Sequence, residues 1–216
     1  MRELFLMFFV LSLAVGKAAE PIAGLPEADV ERMYQYVSSR NPAFDREVAE
    51  AFHDLGCIYG IRGDVALCQA IIETGWFRFD NGTCVPPDAH NYCGLGVKQR
   101  GDLGCSFETV RDGVAAMMQH LYAYSTTADL PEGETMIDPR FKYVRRGCAP
   151  NWEDLSGRWA MSDDYGRKIL RIYSAMMLHA VVENPEPPGA PDPSLPDSIE
   201  NEIFMELQQY ETKRNN

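Results

Sequence analysis

The sequence predicts a mainly α-helical (α+β) single domain with a small irregular or β-hairpin lobe. Two observations predict it. Apolar residues recur at helical spacing in five separate stretches, and the chain between the third and fourth breaks into short pieces punctuated by glycine and proline.

The chain opens with "MRELFLMFFVLSLAVGKAAE": Arg2, an apolar run Leu4–Val15, then small residues at Gly16, Ala18 and Ala19. That pattern reads as a signal peptide over residues 1–19, with cleavage after Ala18 or Ala19. The apolar run is shorter than the ~20 residues a bilayer-spanning helix needs, and no cysteine follows it for lipid attachment. The expected location is therefore secreted or in the cell envelope, with no stable membrane anchor after cleavage.

One globular domain is expected over residues 26–182. In "EADVERMYQYVSS" Val30, Met33, Tyr34 and Val37 share a stripe, and in "REVAEAFHDLGCIYGI" Val48, Ala51, Phe52 and Leu55 do. "DVALCQAIIETG" opens on Asp64 as N-cap and closes on Gly75. "TVRDGVAAMMQHLYAYS" places Thr109 and Asp112 at capping distance ahead of Val114, Met117, Met118 and Leu121. The last, "SDDYGRKILRIYSAMMLHAVV", carries Ile169, Leu170, Ile172, Tyr173 and Met176. Between Gly75 and Thr109 the pieces "DNGT", "CVPPD", "NYCGLGV" and "RGDLG" are turns and allow at most a small hairpin. Residues 183–198 are a proline-rich linker. Residues 199–213 carry Ile199, Ile203, Phe204, Leu207 and Tyr210 as a C-terminal amphipathic helix that docks or caps.

Composition excludes several functions. A formal net charge of -12 makes nucleic acid an improbable partner. Six cysteines in an exported chain favour disulfides, and spacing alone does not choose among the 15 connectivities. No C-x-x-C pair is present and the four histidines are scattered, so no metal site is expected. Glycine-loop, H-E-x-x-H and G-x-S-x-G motifs are absent, and no cofactor is implied. A monomer is expected.

The carboxylate that draws attention is Glu73, where "AIIETGW" runs out of an apolar helix. Unpaired carbonyls put negative partial charge at a helix C-terminus, and apolar neighbours such as Ile72 and Trp76 disfavour ionisation. Both effects raise the pKa, which suits a general acid that protonates a glycosidic oxygen. Trp76, Tyr92, Tyr143 and Trp159 offer flat faces for sugar rings, and Arg140, Lys142, Arg145 and Arg146 add positive charge. The bland alternative is a surface glutamate with core aromatics.

In order, "ALCQAIIETGWF", "NYCGLGV", "FETVRDGVAAMMQHLYAY", "DPRFKYVRRGCAP" and "WAMSDDYGRKILRIY" resemble the bacterial glucosaminidase domain of glycoside hydrolase family 73, the mannosyl-glycoprotein endo-β-N-acetylglucosaminidase type. The resemblance runs over roughly residues 60 to 178. It implies a lysozyme-like fold and hydrolysis of the β-1,4 bond between N-acetylglucosamine and N-acetylmuramic acid, with peptidoglycan glycan strands as partner. Glu73 matches the catalytic glutamate. Tyr165 matches the tyrosine of a "Y-A-T-D-P-x-Y-A-x-K" motif that faces the cleft. Asn91, Tyr92 and Gly94 fall in the "N-N-L-F-G-I" groove floor, and Arg140 and Tyr143 in "D-P-R-F-K-Y-V".

Departures bear on mechanism. Trp159 and Met161 replace a tyrosine and a threonine, Gly166 replaces an alanine, and the hairpin between Val97 and Phe107 is short. A conventional glycosidase needs a second carboxylate. Asp102, Asp80 and Glu108 are candidates, or the substrate's own N-acetyl group or a water near Asp102 fills the role. A lysozyme or lytic transglycosylase acting on the same polymer is the enzymatic alternative. An inactive wall-glycan-binding module, or a disulfide-stapled interaction protein, is the alternative of another class.

Overall fold

The structure, a computed structural model, describes residues 19–99 and 101–182. The leader (apart from Ala19), the linker at 183–198 and the amphipathic segment at 199–213 lie outside the described residues. Among those described, the fold is mainly helical: α1 (Val30–Ser38), α2 (Arg46–Tyr59), α3 (Gly63–Thr74), α4 (Val110–Ser125) and α5 (Tyr165–Leu178), with three short 3-10 turns. No helix among them is long and apolar enough to cross a membrane.

Local chemistry accounts for several helix ends. The Asp29 side chain accepts from Arg32 N–H (2.8 Å) and Asp45 from Glu47 N–H (2.9 Å), satisfying orphan donors. Thr109 Oγ1 accepts from Asp112 N–H (3.1 Å) and donates to the Asp112 carboxylate (2.8 Å), so the expected cap of α4 forms. Gly60 and Gly75 end α2 and α3 in the left-handed conformation.

Asp64 is a correction. The helix begins two residues earlier than that cap implies, at Gly63, and Arg62 occupies the cap position with no side-chain bond. The Asp64 carboxylate, fully buried, instead accepts from the backbone N–H of Glu27 (2.8 Å) and Ala28 (3.1 Å) and pairs with Arg62 (3.1 Å). A carboxylate removed from water needs such partners, and here they come from an incoming strap of chain.

The start of that strap, residues 20–24, runs between the Gly60–Arg62 turn and the Pro150–Trp152 segment. Ile22 N–H donates to Pro150 O (2.9 Å), Arg62 N–H to Ile22 O (3.0 Å), and Trp152 N–H to Glu20 O (2.8 Å). Helix α3 is the centre, buried on nearly all sides, as an all-round apolar helix must be. It packs against α2 and α5, α2 in turn packs on α4, and α1 closes the end.

Among the described residues, the turn-rich interval contains no strand ladder. Its return is a loop closed by Cys105 N–H to Leu95 O (2.7 Å) and braced by Asn91, so the hairpin reduces to a bonded turn. The disulfide expectation is also corrected, since all six cysteines are free thiols. Cys68 and Cys93 are buried in the core, where a free thiol behaves as a small hydrophobe, whereas Cys57 and Cys84 are exposed.

Candidate active site

Glu73 occupies the last turn of α3 and is half-buried. Tyr165, the first residue of α5, is fully buried, and its hydroxyl donates to Glu73 Oε1. Gln69, one turn before Glu73 on the same helix face, donates through Nε2 to the Tyr165 oxygen (3.0 Å). The three side chains form a chain of donors that ends on the carboxyl, while the buried Gln69 Oε1 has no hydrogen-bond partner among the described residues. An element that holds the carboxyl oxygen holds its proton's direction as well.

The backbone just beyond Glu73 is unusual. Trp76, Phe77 and Phe79 take φ of 61°, 58° and 57°, a region that bulky L-residues avoid at a cost of order 1–3 kcal/mol each. Tertiary contacts over-determine it. Trp76 packs on Tyr36 (centroids 5.5 Å) and Phe77 on Phe44 (4.7 Å). Asn41 Nδ2 donates to Trp76 O (3.0 Å), Phe77 N–H to Thr74 Oγ1 (2.8 Å), and Phe79 N–H to Thr74 O (2.8 Å). The helix end that carries Glu73 is thus clamped from below.

The remaining sequence candidates divide. Trp76 and Tyr92 are core residues, 7% and 3% exposed, and Tyr92 sits among Phe52, Phe77 and Phe79. Their rings are satisfied by aromatic neighbours, so neither offers a face to a sugar. Asn91 is a brace: Nδ2 donates to Leu95 O and Cys105 O (2.9 Å each) and Oδ1 accepts Leu95 N–H (2.9 Å). Gly94, at φ 63°, turns the chain there, and its carbonyl accepts Val97 N–H (3.1 Å). Asp102 Oδ2 accepts the N–H groups of Lys98 (3.0 Å) and Gln99 (3.2 Å), closing its own loop. Arg140 stacks on Tyr143 (5.6 Å), which is 69% exposed. Trp159 is half-buried against His120 (5.0 Å) and Tyr124 (5.8 Å).

Sequence reasoning missed two groups. Gln69 carried a signal, a polar residue one turn from Glu73 in an apolar helix. The pair of His120 Nδ1 and Asp138 Oδ2 (2.7 Å) carried none, because it joins α4 to a loop beyond it. Assigned as N–H to carboxylate, this contact fixes an imidazole that lies T-shaped to the Trp159 ring (77° between planes). Asp138 also accepts Arg140 N–H (2.7 Å), so it is engaged on both oxygens. Burial, together with the carboxylates of Glu73 and Asp138, pushes the Cys93 thiol well above the usual range, which makes it no nucleophile.

The donor chain gives a prediction. Tyr165→Phe removes the hydroxyl that Gln69 and Glu73 share and leaves a buried amide without a partner. A fall in kcat of about tenfold with little change in KM is expected, with about 1–3 kcal/mol lost on unfolding. Steady-state kinetics and denaturant melts read the two; a variant with unchanged kcat would separate Tyr165 from the chemistry.

Comparisons with known proteins find relatives of this chain. An uncharacterized protein of Borreliella burgdorferi is 34% identical over 150 residues, covering 68% of this chain and 72% of that protein. The catalytic domain of the autolysin Auto from Listeria monocytogenes aligns with a TM-score of 0.40 at 18% identity, over 68% of this chain and 85% of that one. The glucosaminidase family model, described as mannosyl-glycoprotein endo-β-N-acetylglucosaminidase, matches residues 49–178, more than half of the 216 residues. With Glu73, Gln69 and Tyr165 all inside that span, the chain belongs to the glucosaminidase family.

Proposed function

We propose that the chain is an exported endo-β-N-acetylglucosaminidase that hydrolyses the β-1,4 bond between N-acetylglucosamine and N-acetylmuramic acid in peptidoglycan, with Glu73 as general acid. The observation that carries the reading is the Gln69–Tyr165–Glu73 chain at the end of a buried helix. A general acid acts only if its proton is aimed at the leaving oxygen, and a clamped helix end with a fixed hydroxyl partner supplies that aim.

The second role falls to the substrate's acetamido group. Asp102 is the sequence's nearest candidate, but its carboxylate closes the 98–102 turn, and Asp138 is 2% exposed and fully bonded. Attack by the acetamido oxygen on the anomeric carbon, as Glu73 gives its proton to the departing oxygen, needs no second protein carboxylate. Water then opens the cyclic intermediate and returns a proton to Glu73, with retention at the anomeric centre.

Digestion of purified peptidoglycan, with new ends reduced and identified by mass spectrometry, tests this. New reducing N-acetylglucosamine ends are expected, and proton NMR of the fresh, unreduced digest, taken before mutarotation, should show them in the β configuration. Reducing or anhydro-muramic ends would reassign the protein to the lysozyme or transglycosylase class. Inverted products would return a second carboxylate to the mechanism.

A further inference from the structure

Positive charge is concentrated in one part of this acidic chain. Arg140, Lys142, Arg145, Arg146 and Arg158 fall close together in a protein of net charge -12, and among the described residues none has a carboxylate within ion-pair distance. Arg146 is used internally, donating to the carbonyls of Thr126 and Ala128 and stacking on Phe141 (4.5 Å). Arg158 gives one N–H to Asp154 O (2.9 Å). Arg145 is exposed.

Beside them opens a cavity of about 500 Å³ lined by Tyr124, Tyr143, Val144, Arg145, Cys148 and Arg158. Two of its walls are cationic, two are aromatic and none is acidic. Tyr143 stands at its rim with Arg140 and Lys142 against its ring (5.6 and 5.2 Å). Tyr124 also packs on Trp159, which lies in the segment leading into Tyr165.

Uncompensated arginines beside aromatic rings, of which Tyr143 is exposed, suit a ligand with carboxylates on an organic frame. Resting on the peptidoglycan reading above, we propose that this cavity is a subsite for the peptide stem of the substrate, in which Arg145 and Arg158 pair with stem carboxylates. Plain N-acetylglucosamine polymers lack those carboxylates, so the cavity distinguishes wall strands from uncharged glycans. It sets affinity rather than the rate of bond cleavage.

Titration of the full protein with N-acetylmuramyl-L-alanyl-D-glutamate, a probe with no internal glycosidic bond, tests the subsite apart from the activity. Wild-type binding that weakens with added salt, and that falls about tenfold or more in Arg145→Gln/Arg158→Gln, is the expected result. The same double variant is expected to raise KM on intact peptidoglycan and leave it unchanged on strands stripped of peptide by an amidase. Both positions are exposed, so thermal melts should coincide with wild type. Equal binding by wild type and variant, or no binding by wild type, overturns the subsite. Muramic ends in the digestion above would overturn the glucosaminidase reading without altering this titration.

Discussion

Glu73→Gln is expected to lower the rate of glycan cleavage by about 10²- to 10⁴-fold, the range that a positioned general acid contributes. The substitution is close to isosteric, and Tyr165 can still donate to an amide oxygen where it now donates to the carboxyl. Stability should therefore change little, and the loss should appear in kcat. Coincident thermal melts with a collapsed turnover are the signature to measure. If the variant retained more than about a tenth of wild-type turnover, the acid would have to be sought elsewhere, since no smaller effect accounts for protonation of a poor leaving group.

Gly166→Ala is the second large effect, and it acts on the fold. A Cβ at this position would lie 2.2 Å from Trp152 O, 2.5 Å from Glu153 Cα and 2.7 Å from Trp152 C. All three are backbone atoms of the turn Trp152–Leu155, so no side chain can swing away. Two opposing terms set the sign. Alanine gains about 1 kcal/mol of helix propensity over glycine. Overpacking against fixed backbone costs about 3 kcal/mol or more and wins. A fall in Tm of roughly 5–10 °C is expected for a domain of this size. Because Tyr165 precedes Gly166, displacement of the α5 start should also cost activity. An unchanged or raised Tm would show that the turn yields. The resemblance has an alanine here, and the departure is explained by how closely α5 approaches that turn.

What was legible in the sequence was local. Thr109 with Asp112 announced α4, and Gly75 announced the end of α3, because the groups that satisfy those ends lie within a few residues. Glu73 stood out because a carboxylate at an apolar helix end is itself anomalous. Asp64 misled because its partners, Glu27 and Ala28, are far away in sequence, and nothing local distinguishes a cap from a buried anchor. Trp76 and Tyr92 misled for a related reason. An aromatic residue in a turn-rich segment has no period to say which way it faces, and the left-handed backbone at Trp76 goes with a ring packed inward on Tyr36. The cysteines show the limit of counting, because parity does not bring two sulfurs together. The His120–Asp138 contact rests entirely on tertiary placement.

The strap at residues 20–24 bears on what counts as a foldable unit. The family match begins at residue 49, yet Ile22 is completely buried, and the strap is bonded to chain more than a hundred residues away, at Pro150 and Trp152. Ala28, Met33, Tyr36, Val37 and Phe44 also belong to the core. A fragment cut at the edges of the match would keep Glu73, Gln69 and Tyr165 but would leave Asp64 and Arg62 without Glu20, Glu27 and the N–H of Ala28. A buried ion pair deprived of its outer partners is strongly destabilising. Sequence similarity marks out the shared catalytic segment, whereas autonomy of folding belongs to a longer piece whose first and last parts are knotted together through their backbones.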